Sequence, residues 1–345
     1  MHSVAELAAA PPPRVAMAAD GTPVRPLLVV DADTAAGLPG AVLTRAAAAL
    51  RAARCGTVAV AGLRPVPPVL ADAVDLTLSA VPDADRRVVE VDDPLAAAAL
   101  LAERAAAVPR ATLTLAWLLR ATGELPVPAA LSAESAAYST LQAGPEFARW
   151  LAARRPPRPP DDPDRRVAVE RDGDVLRIRL DRLDRRNAVD AAMRDALLEA
   201  LAVAEADPTL RVVVGAAGPS FSAGGDLDEF GTATDPATAH VLRLTAHVGE
   251  VLDRLRDRVT VEVHGACIGA GVELPSFAGR VVAAPDASFG LPEVPMGLIP
   301  GAGGTVGIPR RIGRWRTTWL ALSGIRLDAG TALRWGLVDE VRPVG

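Results

Sequence analysis

The chain has 345 residues, half of them hydrophobic, which is enough for one large domain or two modest ones with a real core. Its 42 acidic residues against 37 basic ones give a net charge of −5, spread without a basic stripe, and this excludes nucleic acid and anionic membrane as expected partners. Every basic residue is arginine, so chemistry that needs a lysine Schiff base or a lysine phosphate clamp is excluded as well.

Cys55 and Cys267 are too few and too far apart for a disulfide framework, and no stretch combines a charged start, an apolar run and a cleavage site. A reducing, cytoplasmic setting is expected. His2, His240, His247 and His264 lack the clustering of a metal site, although His240 and His247 are spaced to share a helical face, so no metal is expected.

Residues 88–155 are rich in alanine and leucine at helical spacing, and Pro109 interrupts the run. "RRPPRPPDDPDRR", residues 154–166, combines proline and charge and reads as a linker. At roughly 3 Å per residue in a polyproline conformation it spans about 40 Å, enough to cross the face of a domain. Beyond it, "VAVERDGDVLRIRLDR" alternates apolar and polar residues about Asp172-Gly173, a hairpin pattern. The spacing then predicts a helix in "DAAMRDALLEALAVAEAD", a buried strand in "LRVVVGAAG", a helix near 238–256, a strand in "VTVEVHG", a short helix from about 270 and a strand in "RVVAAP". Strands separated by helices imply a parallel sheet wrapped by helices, with ligands bound beyond the carboxyl ends of the strands.

Two loops stand at those ends. "FSAGGDLDEF" (221–230) and "GACIGAGVEL" (265–274) present small residues that let a ligand approach the backbone, and each runs into a helix start whose first amides lack internal partners. Together they can form an oxyanion hole; taken singly, their glycines also fit tight turns or close packing. Glu273, set among glycine and alanine, is an expensive place for a charge unless the charge has work to do.

"RRNAVDAAM", "FSAGGDLDEF", "GACIGAGVEL", "FGLPEVPMGLIPGAGGT" and "GIRLDAGTALRWGLVDEV" occur in an order and at separations that resemble the crotonase (enoyl-CoA hydratase/isomerase) superfamily. The resemblance implies an α/β fold, a spiral of ββα units, with an acyl-CoA bound so that its thioester oxygen meets the backbone N–H groups of Gly225 and Ala270. It further implies that Glu273 and Glu293 are the catalytic acid/base pair and that Gly301 helps hold the reacting water. Two carboxylates at one apolar site push their proton affinities apart, so that one acts as acid and the other as base. CoA contacts are expected from Arg185, Asn187 and Ala188 and from Asp226 and Leu227. Arg185 is read either as a phosphate contact or as an ordinary surface arginine. Asp226 and Asp228 are read as capping or solvated residues rather than acid catalysts.

Some features depart from the family pattern. Pro275 lies two residues past Glu273 and lacks the N–H to continue a helix, so a kink or early stop is expected. Gly279 stands where the family often has aspartate. Family members usually run on for several tens of residues after the segment matching "GLVDEV", forming helices that close the site, whereas residues 88–156 resemble that C-terminal segment. "PLLVVDADTAAGLPGAVLTRAAAALRAARCGTVAVAGL" resembles the opening of a second unit without oxyanion loops or an acidic pair.

The expected organisation is therefore a reduced, noncatalytic crotonase-like domain over 24–153, a linker over 154–166 and a catalytic core over 167–345. Helices of the first part are expected to replace those absent from the second. Tyr138, Trp117 and Trp150 are expected to be core anchors. The expected activity is hydration of a 2-enoyl-CoA or the reverse dehydration. Alternatives are isomerisation, decarboxylation or thioester hydrolysis on the same scaffold, or a noncatalytic acyl-CoA-binding protein. No cofactor is expected beyond the CoA of the substrate, and the resemblance implies a homo-oligomer, a trimer or hexamer.

Overall fold

The computed structural model describes residues 1–159, 166–233 and 235–344. Residues 160–165 of the expected linker lie outside the described residues. Two compact units are present, Met1–Gly123 with Ile312–Ser323, and Glu124–Arg311 with Gly324–Gly345. This partition differs from the expected one: the helices over 127–153 group with the second unit, and the end of a later helix groups with the first.

The first unit carries a five-stranded parallel sheet whose spatial order follows the chain: β1 (His2–Ser3), β2 (Leu27–Asp31), β3 (Gly56–Ala61), β4 (Leu76–Ser79) and β5 (Val88–Glu90). Every residue of β3 is buried, as a central parallel strand requires. Its helices are α1 (Val4–Ala9), α2 (Gly40–Arg51), α3 (Pro68–Ala73), α4 (Pro94–Ala107) and α5 (Pro109–Thr122). Pro109 ends one helical run and opens the next at a first-turn position where its missing N–H is harmless. Trp117 corrects the expectation of a core anchor: α5 buries Leu113, Ala116 and Leu119, and Trp117 stands 43% exposed.

The second unit opens with α6 (Val127–Gln142) and α7 (Pro145–Ala153). A hairpin of β6 (Val167–Asp172) and β7 (Val175–Leu180) follows, with Gly173 at φ 59° in its turn. Then come α8 (Ala191–Ala206), β8 (Arg211–Ala216), α9 (Pro236–Thr245), α10 (Val248–Arg254), β9 (Val259–Val263), β10 (Ala266–Ile268) and α11 (Ala270–Glu273). The remainder comprises β11 (Arg280–Ala283), β12 (Ser288–Gly290), α12 (Gly304–Ser323), β13 (Leu327–Asp328), α13 (Ala329–Trp335) and β14 (Glu340–Val341). The main sheet has the order β14-β11-β9-β8-β7-β6, parallel except for the hairpin, and β10-β12-β13 form a second, small sheet.

The single helix expected near 238–256 is two. Ala246 leaves helical geometry, and His247 starts a new helix by accepting the Glu250 N–H on its ring nitrogen (3.3 Å). The early stop expected at Pro275 is present: α11 gives way to a 3₁₀ turn over Pro275–Phe277. Gly279 is explained by close approach, since a Cβ there would lie 2.4 Å from the Arg256 carbonyl oxygen.

Candidate active site

The loops after β8 and β9 meet within the second unit. In the first, the Ser222 hydroxyl donates to the Asn187 carbonyl (2.7 Å) and accepts the Gly224 N–H (3.1 Å). The Val189 N–H donates to the Gly224 carbonyl (2.8 Å) and the Asp226 N–H to the Val189 carbonyl (2.9 Å). The alternation leaves the Gly225 N–H with no acceptor among the described residues. In the second loop, Gly269 adopts φ 51°, ψ −119°, a region essentially reserved for glycine. Its carbonyl accepts the Val272 and Glu273 N–H groups (2.7 and 2.9 Å), and the Ala270 N–H is likewise without an acceptor among the described residues. A Cβ on Gly224 would come within 2.9 Å of the Ile268 carbonyl, so the two loops touch through backbone.

The two acidic side chains are buried and differ in their partners. Glu273 Oε1 accepts the Ala302 and Gly304 N–H groups, both at 2.9 Å. Burial raises its proton affinity to about 7, against the lowering effect of those two bonds. Glu293 Oε2 is buried without a hydrogen-bond partner among the described residues, and Oε1 lies where a Cβ on Gly269 would be, 2.5 Å from it. Burial, and then the Glu273 charge, push the Glu293 pKa well above the ordinary carboxylate range. Of the pair, Glu273 is equipped to carry negative charge and Glu293 to carry the proton.

Both open into a cavity of about 240 Å³, together with Gly225, Asp226, Ala270 and Gly301. The structure thus brings six of the expected site residues to one space. The sequence places the pocket walls only coarsely, in residues 227–250 and the N-terminal helices; the side chains that line the cavity from there include Tyr138 and Gln142 of α6, Arg243 of α9, and Phe230. Tyr138 was expected in the core; it is buried, but its ring forms a wall of the cavity and lies where a Cβ on Gly301 would be, 2.3 Å away. The Arg243 guanidinium lies over that ring at 4.8 Å and donates to Gln142 Oε1 (3.1 Å) and Ser135 Oγ (3.0 Å). Phe147 and Trp150 of α7 pack on Phe230, so α7 supports the wall, and Trp150 is a half-buried member of this cluster.

The expected CoA contacts have mixed placements. Asn187 is buried and its side chain is committed to backbone, accepting the Arg182 N–H (2.8 Å) and donating to the Ala217 and Ser220 carbonyls (2.8 and 3.0 Å). Its main chain is committed as well, the N–H donating to the Arg182 carbonyl (2.9 Å) and the carbonyl accepting from the Ser222 hydroxyl. The buried Ala188 carbonyl accepts from Arg182 Nη1 (2.8 Å). Arg185 is neither solvated nor free: Asp228 pairs with it at 2.8 Å and the Pro159 carbonyl accepts from it at 2.5 Å. Asp226, expected to be capping or solvated, is buried and paired with Arg182 (2.7 Å), while also accepting the Asp228 N–H (3.0 Å). Leu227 is exposed. Among the described residues, no group of three or more His, Cys, Asp or Glu could hold a metal ion, and no helix is long and apolar enough to cross a membrane.

The family model for enoyl-CoA hydratase/isomerase matches residues 170–345. The chain belongs to that family. It is 37% identical over 175 residues to the cyclohexa-1,5-dienecarbonyl-CoA hydratase of Thauera aromatica, and 36% identical over 175 residues to the carnitinyl-CoA dehydratase of Salmonella agona. Each match covers 50% of this chain and 66% of the relative, so the chain spans just under two thirds of the length of these curated relatives. A solved enoyl-CoA hydratase from Thermoplasma volcanium matches 52% of this chain and 72% of its own, at 35% identity and a TM-score of 0.48. The family's matched stretch contains both loops and both glutamates, whereas α6 and α7 lie outside it.

Proposed function

We propose that the protein hydrates a 2-enoyl-CoA, or dehydrates the corresponding 3-hydroxyacyl-CoA. The observation that carries this reading is the pair of backbone donors without acceptors among the described residues, at Gly225 and Ala270, on the same cavity as two buried carboxylates of unequal proton affinity. Polarising a thioester oxygen with two such donors stabilises the enolate that forms when a nucleophile adds to the β-carbon, each donor contributing about 3 kcal/mol to the transition state. Glu273 takes a proton from water as its oxygen bonds to the β-carbon, and Glu293 delivers its proton to the α-carbon as the enolate collapses. The sum is addition of H and OH across the double bond, after which the proton on Glu273 is exchanged and Glu293 is reprotonated. Gly301 is read as holding the water through its backbone. Arg185 and the exposed Leu227 are read as the CoA contacts, with Asn187, Ala188 and Asp226, whose groups are already bonded within the chain, as the support beneath them.

The test is the ultraviolet absorbance of crotonyl-CoA with the wild type and with Glu273→Gln and Glu293→Gln. Loss of about 100-fold or more with each variant is expected for a working acid/base pair. Loss with only one would favour isomerisation or another single-base enolate reaction, and no turnover by the wild type, with binding retained, would favour a noncatalytic acyl-CoA-binding role.

A further inference from the structure

A third carboxylate stands behind the pair. Glu134 is the one charged residue of α6, and it is almost fully buried. Its Oε1 accepts the Gly303 N–H (2.7 Å), and its Oε2 accepts the Thr305 N–H (2.9 Å) and hydroxyl (2.7 Å). Glu273 takes the intervening amides, those of Ala302 and Gly304, both at 2.9 Å. Four successive N–H groups entering α12 thus point alternately to two carboxylates from different elements.

We propose that Glu134 is a positioning residue of the active site, which clamps residues 302–305 in alternation with Glu273 and couples its own charge to the acid/base pair. The inference rests on the hydratase reading for its kinetic consequence; its electrostatic one rests on the burial of Glu134 and Glu273 on one shared ribbon and on the proton affinities that follow from it. Amides 302 and 304 hold the Glu273 carboxylate; amides 303 and 305 are what fix the ribbon carrying them. Without Glu134, the ribbon is anchored on one side only, and Glu273 gains freedom to rotate. A loss of placement of this kind costs about 10- to 100-fold in turnover.

Among the described residues, the charged and titratable groups around it include Glu273 and Glu293 across the loop, Tyr138 and Arg243 beside it, and His247, whose ring lies 3.4 Å from where a Cβ on Gly303 would be. Burial first, and then the Glu273 charge, raise Glu134 to about 8, and the Glu134 charge in turn helps to raise Glu293. A carboxylate that only capped α12 would leave the proton count of the catalytic pair unchanged. One that belongs to the cluster makes it a three-proton system with coupled steps.

The experiment compares the full chain with Glu134→Gln and, as a milder change that keeps the carboxylate, Thr305→Val. Carbon-13 NMR of labelled glutamate carboxyls follows the titration, and crotonyl-CoA hydration gives kcat and KM. In Glu134→Gln the cluster is expected to lose one titration step near pH 8. The remaining pair should titrate lower, and kcat should fall about 10- to 100-fold with KM changed less than about 3-fold. In Thr305→Val the Glu134 step should move up, because a donor to its ionised form is gone. If the titration of the remaining pair is the same in wild type and Glu134→Gln, or kcat is unchanged, the proposal is overturned. If Glu134→Gln does not fold, an unmoved Glu134 step in Thr305→Val overturns it instead. A wild type that turns over no enoyl-CoA sinks the hydratase reading, while the titration still decides whether Glu134 belongs to the cluster.

Discussion

Gly269 shows how much of the site depends on one missing methyl. Its φ of 51° with ψ −119° disfavours any side chain, and a Cβ would meet Glu293 Oε1 at 2.5 Å. Gly269→Ala is therefore expected to cost about 1–3 kcal/mol of stability through backbone strain. It should also displace the Glu293 carboxyl, lowering kcat more than it raises KM; a thermal melt and steady-state kinetics check the two effects separately. The buried acids also give stability a pH signature. Glu273 and Glu134 are raised from 4.5 to about 7 and about 8, so their contribution is full below about pH 4.5 and is lost as pH rises through 7 to 8. Half-buried His247 is lowered by desolvation from 6.5 to about 4, so its contribution is present above 6.5 and is lost as pH falls towards 4. Urea midpoints across pH should therefore fall on the alkaline side of about pH 6, and less steeply in Glu134→Gln. A midpoint flat from pH 6 to 8 would contradict the raised affinities. The glycine loops and Glu273 were legible in the sequence because their chemistry is local, a run of small residues and an acid three positions past Ala270, whereas Glu293 was legible only through the resemblance of the motif that carries it. Glu134 was not legible. It sits in an alanine-rich helix and meets Gly303 at a separation of 169 residues, and only the folded chain defines that contact.

At the level of elements, what aims the Gly225 amide is a buried ion cluster beneath it. Arg182 pairs with Asp226 (2.7 Å) and Asp190 (3.2 Å), and Arg166 pairs with Asp190 (2.8 Å), with all four side chains buried. Asp190 also caps α8 by accepting the Met193 N–H at 2.8 Å, so one carboxylate ties the helix start to the loop that carries the donor. Removing one member of such a set strands the others, at a typical cost of 3–5 kcal/mol. Arg182→Met is expected to lower the urea midpoint accordingly and to weaken acyl-CoA binding, whereas Arg211→Met, whose pair with Asp174 is exposed, should change stability by less than about 1 kcal/mol. Equal effects in the two variants would show that the cluster does not hold the loop. Periodicity predicted β7, β8, β9, β11 and α8 because each has a buried face, as in Leu176, Ile178 and Leu180 of β7, and β6 through the hairpin pattern; it did not predict the short β10, β12, β13 and β14. It merged α9 with α10 because apolar spacing runs on through Ala246 and His247, where a histidine cap, not a glycine or proline, makes the break.

On the scale of the whole molecule, the two units exchange segments along the chain: helices ahead of the linker were expected to serve the second part, and α6 and α7 do group with it, whereas the grouping of 312–323 with the first unit could not be read from composition. The proline-rich stretch at 154–166 looks like a boundary, yet the units divide at 123/124 and again at either end of 312–323. α12 contains the reason for the later division: Gly313 (φ 82°, ψ 155°) interrupts its helical geometry, and Ile312–Ser323 groups with the first unit. There Arg314 pairs with Asp75 at 3.5 Å, and Arg104 donates to the Ser323 carbonyl. Ile312, Trp319, Leu320 and Leu322 are buried. A chain starting at residue 124 keeps α6, α7 and the cavity residues but removes the unit with which 312–323 groups. Exposing large apolar side chains costs about 1.5–3 kcal/mol each, a sum comparable to the total stability of a domain. Such a chain is expected to be insoluble or to form soluble aggregates by size exclusion. A chain starting at 124 in which Ile312, Trp319, Leu320 and Leu322 are changed to polar residues should recover solubility and, if the cavity residues suffice, acyl-CoA binding. A monodisperse, cooperatively melting 124–345 without those changes would show that 312–323 does not need the first unit, and the exchange of segments would then carry no weight in holding the chain together.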